Sequence, residues 1–317
     1  MHLPAALIVI IIIALGITVS NVADIQIFTP QSKTEVVTNL QLEASPSASP
    51  TSTPTATPSA TPKPTAKPTF TGTPKPTAAP APVSNTPPSS GYSRQSVQTD
   101  VGTFTVSIVS ADLNSTRVIV DTASDSDCRD NCPVLSLGEY VSRSGAYAGV
   151  NGSYFCPASY DSCAGKTNSY DTLLMNKNKV YFNSDNNVYS TVPAAIFYAG
   201  GSRFVGQSLE WGRDTSVDAV IANQPLLLSG GNVVFGGNSD PKQGSKGSRS
   251  FVGVKGSTVY IGVVQNATVA EVARVLHAMG MQEALNLDSG GSTALYHGGY
   301  KFGPGRNIPN ALLFVQR

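Results

Sequence analysis

The chain has 317 residues, among them 29 Gly and 22 Pro, with only 13% charged and a formal charge of +1. So near-neutral a chain excludes a strong electrostatic case for nucleic acid or for an anionic membrane surface, and any anion must be held by individually placed residues. The shortfall from the roughly 25% charge of a typical globular protein is local: 13 of the prolines fall between residues 44 and 90, in a stretch of Pro, Thr, Ser and Ala with three lysines and no acid that cannot build a core.

In chain order, residues 3–19 form an uncharged apolar run, at the lower edge of what crosses about 30 Å of hydrocarbon. The run exceeds the usual signal-peptide core of about 7–15 residues and no Ala-x-Ala site follows it, so an uncleaved membrane helix over residues 1–23 is favoured over a cleaved signal peptide. Residues 24–43 form a juxtamembrane segment, and 44–91 a disordered Pro/Thr-rich linker. In it Pro46, Pro50, Pro54, Pro58 and Pro62 recur every four residues, and a polyproline bias makes a stalk of it. The remainder, residues 92–317, suits one folded domain.

Within that domain, residues 102–121 alternate apolar and polar side chains and read as a hairpin or strand pair turning at Asp112 to Ser115. The four cysteines come next, Cys128 with Cys132 and Cys156 with Cys163. Their even number beside an export segment favours two disulfides, and the wide second spacing argues against zinc. Pairing within each local loop is favoured, although sequence allows three connectivities. Between the pairs, Ser136 and Glu139 make a capping box for a short helix stopped by Gly145, and residues 147–155 read as a strand. Further strands are expected at 179–182, 194–198, 219–221, 232–235, 250–255 and 258–264. The strongest helix signal is at 268–279, where Thr268 and Glu271 form a second capping box, Val269, Val272, Ala273, Leu276 and Met279 share a face, and Gly280 terminates it. Strands at 284–287, near Tyr296 and at 310–316 complete the set. The fold class is therefore α+β, a strand-rich mixed sheet with one main amphipathic helix, preceded by the membrane helix and the stalk.

The densest chemical signal is Asp288-Ser289-Gly290-Gly291-Ser292, a carboxylate leaving an apolar strand into a turn whose N–H groups can approach an anion. Part of it looks like the nucleophile segment of trypsin-like proteases, but His277 and His297 stand in no protease-like context and that reading is set aside. Polar residues also interrupt or border strands at Asn151, at Arg249, and at Arg306 and Asn310. Two guanidiniums converging on a glycine nest would clamp a phosphate bidentately. No acidic or histidine cluster has ligand spacing, so neither a metal nor a cofactor is expected.

Taken together and in order, Asn151-Gly152-Ser153-Tyr154-Phe155, Arg249-Ser250-Phe251-Val252-Gly253-Val254, Asn286-Leu287-Asp288-Ser289-Gly290-Gly291-Ser292 and the residues from Arg306 to Leu312 resemble the phosphodiester glycosidase family over residues 92–317. The resemblance implies hydrolysis of a sugar 1-phosphodiester to free sugar and a phosphomonoester. It implies Asp288, Arg249 and Arg306 as catalytic residues, with Asn151, Gly290, Gly291, Ser292 and Asn310 binding a glycan phosphodiester substrate. Asp288 would be base or nucleophile, the two asparagines would orient sugar hydroxyls, and Glu283 or Asp240 would be the second carboxylate if one is used. Ser289 departs from the family's usual glycine, which would alter the anion nest if that position needed positive φ. Two alternatives from other classes are a non-catalytic carbohydrate- or wall-binding module and a phosphodiester-dependent glycan transferase. Anchor, stalk and disulfides point to an exported bacterial protein, membrane-bound through its N-terminal helix or secreted, and the sequons at Asn114, Asn151 and Asn266 are read as chance matches.

Overall fold

Long strands buried along both faces build the core of this protein. The computed structural model describes residues 82–184 and 190–317, all within one compact unit. The expected membrane helix, the juxtamembrane segment and the linker as far as residue 81 lie outside the described residues. Among the described residues no helix is long and apolar enough to cross a membrane.

The chain begins with β1 (Gly91–Thr99), β2 (Gly102–Asp112) and β3 (Thr116–Thr122), then helix α1 (Leu137–Ser144) and β4 (Ala148–Asn151). Five short strands follow, β5 (Leu174–Met175), β6 (Tyr181–Phe182), β7 (Ala194–Tyr198), β8 (Gly201–Val205) and β9 (Ala219–Ala222), and then β10 (Leu226–Ser229) and β11 (Asn232–Val233). A single-turn helix α2 (Pro241–Gly244) leads into β12 (Gly247–Lys255), β13 (Thr258–Ala267) and helix α3 (Val269–Ala278). The chain closes with β14 (Glu283–Ser289), β15 (Leu295–His297), β16 (Tyr300–Phe302) and β17 (Asn310–Gln316).

These strands form three sheets, ordered β1-β2-β13-β12-β14-β10-β11, β16-β15-β4-β17-β3 and β6-β5-β9-β7-β8. The strand-rich α+β character holds, but the expected mixed sheet does not. Every ladder among the described residues is antiparallel, and the one parallel pairing is an isolated bridge between Val83 and Ser96. Several neighbours are joined by tight turns, such as β12 and β13 through Gly256, and such connections leave no room for parallel crossovers.

Period-two alternation divides the strands between cores. Val109, Val252, Leu285, Leu287, Leu312 and Phe314 face a central core, whereas Val106, Ile108, Phe251 and Ala284 face the other way, against α3. On α3, Val269, Val272, Val275 and Leu276 are fully buried against that face, each contributing about 1.5–3 kcal/mol of burial. Both its ends follow the sequence signals, with the reciprocal Thr268–Glu271 capping box at the start and Gly280 at positive φ just beyond the last turn. Helix α1, capped by Ser136 and Glu139 and closed by Gly145, packs Leu137, Tyr140 and Val141 on the outer face of β17 and β3. Beneath it Asp121 is buried between Arg143 at 2.6 Å and Lys177 at 3.0 Å. Burial alone would raise its pKa, but hydrogen bonds from Arg143, Ser144 and Lys177 hold it below the ordinary carboxylate range.

The chain does turn at Asp112 to Ser115, yet β2 and β3 are not a hairpin. β2 pairs with β1 and β13, β3 pairs with β17, and buried Leu113 marks where the chain crosses between sheets. The strand expected over 147–155 ends at Asn151, because Gly152 leaves the ladder to pass so close to Asn310 that a Cβ there would overlap its amide oxygen. Residues 82–86, read above as linker, run along β1, with Gln95 donating to the carbonyls of Ser84 at 2.6 Å and Thr86 at 2.9 Å. Both disulfides close within their local loops, Cys128–Cys132 and Cys156–Cys163.

Candidate functional site

Asp288 stands where β14 leaves its ladder. Arg249 on β12 pairs with Ser289, and Phe251 with Asn286, so two residues of β14, Leu287 and Asp288, oppose the single Ser250. Such a bulge bends a strand and re-aims its side chains, and bulges are enriched beside active sites. Leu287 stays in the central core, while Asp288 lies deep in the protein with part of its surface open to a cleft. Its N–H bonds the Gly152 carbonyl at 3.0 Å, its Oδ1 accepts the Ser289 N–H at 2.8 Å, and the Ser292 hydroxyl donates to the same carboxyl.

The turn after it explains its glycines separately. Gly290 has φ +65°, the left-handed conformation that glycine adopts without strain. Gly291 has ordinary φ but lies directly under Arg306, where any Cβ would overlap the guanidinium. Ser289 has φ −142° and ψ −174°, extended backbone open to any residue, so the departure from glycine there strains nothing.

Beneath this turn lies a layer of buried amides. Asn151 is fully buried; its Nδ2 donates to the Asp288 carbonyl at 2.6 Å and its Oδ1 accepts from the Ser250 hydroxyl at 2.7 Å and the Ala294 N–H at 3.1 Å. Asn310 accepts the Ser153 N–H at 2.9 Å. Asn223 accepts the Tyr154 N–H at 2.9 Å and donates to the Asn286 carbonyl at 2.8 Å, and Asn286 donates to the Tyr154 hydroxyl at 2.9 Å. Asn151 and Asn310 therefore sit under the cleft, bonded to the backbone that carries Asp288 and Ser153, and do not line it.

The cleft itself encloses about 470 Å³, within the range of small-ligand sites. Tyr154, Asp171, Gln224, Asp240, Lys242, Arg249, Asp288 and Gly290 are among the residues of its wall. Arg249 is only 8% exposed, and its guanidinium donates to the carbonyls of Ala267 at 3.1 Å, Lys242 at 2.7 Å and Ser245. Burial pulls its pKa below the ordinary arginine value. Arg306 donates to the Ser159 hydroxyl at 3.0 Å and lies 5.6 Å over the Tyr160 ring, which also carries the Lys242 ammonium at 4.9 Å. Ser159 and Tyr160 belong to the loop closed by Cys156–Cys163. Neither arginine forms an ion pair among the described residues, so their charge is available to an anion.

Burial raises the Asp288 pKa to about 6, against the hydrogen bonds from Ser292 and Ser289 and the field of Arg306, which lower it. Asp171 also rises through burial, with Lys166 and Lys242 opposing. Of the acids expected as a second carboxylate, Asp240 reaches the cleft but caps α2 by accepting the Lys242 N–H at 2.8 Å. Glu283 sits at the other end of β14, bonded to the Gly230 N–H at 2.8 Å and lining a different cavity. Sequence reasoning missed Asp171, Tyr160, Lys242 and Gln224. The first two lie on or just past the disulfide loop, which carries no periodic pattern; Tyr154 stood unremarked inside a motif already singled out. Neither His277 of α3, bonded to the Gly231 carbonyl in the turn between β10 and β11, nor His297, stacked on Tyr92, lines this cleft.

The family model described as phosphodiester glycosidase matches residues 144–315. No curated protein matches the chain. Among solved structures, the catalytic domain of zebrafish N-acetylglucosamine-1-phosphodiester alpha-N-acetylglucosaminidase, auto-inhibited by its pro-peptide, is 15% identical with a TM-score of 0.54, over 75% of this chain and 87% of that one. A hypothetical protein from Synechocystis is 14% identical with a TM-score of 0.47, over 71% of this chain and 62% of that one.

Proposed function

The chain belongs to the phosphodiester glycosidase family, and from that premise we propose that it is an exported hydrolase that cleaves the glycosidic bond of a sugar 1-phosphodiester, releasing the sugar and a phosphomonoester. The observation that carries the reading is the pair of guanidiniums, Arg249 and Arg306, beside a deep carboxylate and without an acidic partner of their own. Arg249 is buried, and a buried charge without a counter-ion is costly unless a ligand supplies one; Arg306, partly exposed above the turn at Gly291, adds a second planar guanidinium, which matches phosphate oxygens.

In this reading the arginines and the backbone of Gly290 and Gly291 hold the phosphodiester, and their donors stabilise the charge that gathers on it as the bond to the anomeric carbon breaks. A phosphomonoester is a weakly basic leaving group, so protonation by a general acid is less necessary than for an ordinary glycoside. Asp288, ionised above about pH 6, is the nucleophile that attacks the anomeric carbon; its raised pKa favours bond formation at near-neutral pH. Asn151 and Asn310 act from below, fixing the strand ends that carry Asp288 and Ser153, rather than on sugar hydroxyls. Two disulfides suit an oxidising compartment, and the apolar run at residues 3–19 supports export with anchoring in a membrane. Ser289, in extended backbone open to any residue, leaves the anion nest unstrained despite its departure from the family's glycine. The test is release of free sugar from UDP-N-acetylglucosamine and other sugar-1-phosphodiesters, with Asp288→Asn inactive.

A further inference from the structure

One carboxylate of the cleft has no task in that scheme. Asp171 follows the isolated antiparallel bridge between Phe155 and Tyr170, and its own N–H bonds the Tyr154 carbonyl at 3.2 Å. Its neighbours fix it from both sides. Tyr170 is buried and donates its hydroxyl to the Pro309 carbonyl at 3.1 Å, one residue before Asn310, and Thr172 is buried and donates to the Ala222 carbonyl at 2.6 Å. The Cys156 N–H bonds the Ser169 carbonyl at 3.1 Å, tying the same stretch to the disulfide loop.

A backbone held this firmly presents an exposed side chain to the cleft, in the wall that also contains Asp288. The Asp171 carboxylate accepts no hydrogen bond and joins no ion pair among the described residues; partial burial raises its pKa, and the fields of Lys166 and Lys242 oppose this. The other acids of the wall are engaged, Asp240 in capping α2 and Asp288 with the N–H of Ser289. The field of Asp171 in turn helps to keep the Asp288 carboxyl up. Two carboxylates in one cleft, one deeper and hydrogen-bonded and the other more exposed and without a hydrogen bond among the described residues, are environments that suit different roles.

We propose that Asp171 is the second catalytic carboxylate, the general base that activates water after Asp288 has displaced the phosphomonoester. This inference rests on the hydrolase reading above. As the water oxygen bonds to the anomeric carbon, its proton passes to an Asp171 oxygen, the bond between that carbon and Asp288 breaks, and the electron pair returns to the Asp288 carboxylate. The sugar then leaves with the configuration of the substrate.

The test uses the full chain as wild type, Asp171→Asn and Asp171→Ala, and measures free sugar from UDP-N-acetylglucosamine and a panel of sugar-1-phosphodiesters, with and without sodium azide. The expected result is unchanged melting and a kcat lowered about 10²–10⁴-fold in Asp171→Asn, the usual worth of a positioned general base. Azide needs no base, so it should restore substrate consumption in Asp171→Ala and yield a glycosyl azide of retained configuration, a product that a merely structural loss cannot give. Wild-type kcat in Asp171→Asn, or a defect in Asp171→Ala that azide leaves untouched, overturns the assignment while the hydrolase reading stands. A wild-type protein that releases no sugar from any member of the panel overturns both.

Discussion

Asp288→Asn is expected to make the protein more stable as it removes its activity, and the gain should follow pH in a defined way. The carboxyl ordinarily titrates near 3.8 and in the fold near 6. Below pH 3.8 it is protonated in both states and adds nothing. Between the two values the unfolded chain ionises first, so stability falls as pH rises, and the whole penalty is present above about 6. At 1.36 kcal/mol per pH unit the limit is about 3 kcal/mol, and partial exposure to the cleft reduces this to about 1–3 kcal/mol. The asparagine keeps the same shape: its oxygen accepts the Ser289 N–H, and its amide donates to the Ser292 hydroxyl, which can rotate to accept. Urea unfolding of wild type and variant at pH 4 and pH 7.5 reads the difference directly. We expect near-equality at pH 4 and a variant more stable by about 1–3 kcal/mol at pH 7.5, equivalent to several degrees in melting temperature. A variant less stable at pH 7.5, or a gain equal at both pH values, would refute the picture of a carboxylate held against its own desolvation.

Three other outcomes follow from the same geometry. Gly291→Ala should push Arg306 off the turn and lower kcat/KM for a phosphodiester by roughly 10–100-fold, the value of one charge-assisted hydrogen bond, with melting little changed; steady-state kinetics beside a melting curve checks it. Gly290→Ala meets positive φ and should cost about 1–2 kcal/mol, whereas Ser289→Gly, in extended backbone, should leave activity near wild type and cost about 0.5–1 kcal/mol in chain entropy; urea midpoints compare the pair. Arg143→Ala, which strips Asp121 of its main partner but leaves Lys177 and Ser144 on it, should destabilise by about 1–3 kcal/mol at pH 7, the value of hydrogen bonds to a charge discounted for the solvent exposure of Arg143. Because the Asp121 pKa is depressed in the fold, that contribution is present above pH 3.8 and should fade as pH falls through the folded value, as unfolding at pH 7 and at pH 3 would show.

The sequence carried the local signals and withheld the long-range ones. Both capping boxes, at Ser136 and Thr268, read directly, because a cap depends on residues three apart. The last strand was expected over 310–316 and is observed as Asn310–Gln316. What failed was pairing. β2 and β3 alternate in sequence yet are buried along most of both faces, so alternation could not say that each belongs to a different sheet. Strands of two residues such as β5 and β6 leave no periodic trace, and β1 was hidden by the Pro-rich stretch before it. In the site, motifs that border strands were visible, and the structure gathers Arg249, Asp288, Gly290, Gly291, Ser292 and Arg306 around one turn. The part of Asn151 and Asn310 was not visible, since whether an amide faces a cleft or the backbone below it depends on packing. Asp171 reaches the cleft through a loop whose path is set by the Phe155–Tyr170 bridge and the Cys156–Cys163 tie, and no spacing announces that.

The most direct test of the account is the anomeric bond itself. Full-length protein incubated with sugar-1-phosphodiesters should release free sugar and a phosphomonoester in equal amounts, and Asp288→Asn should release neither while remaining folded and still binding the substrate. Sugar release undiminished in Asp288→Asn would contradict the assignment of Asp288. No release by the wild type across the panel, with the phosphodiester bound, would contradict the hydrolase reading and leave a binding site for a sugar phosphate.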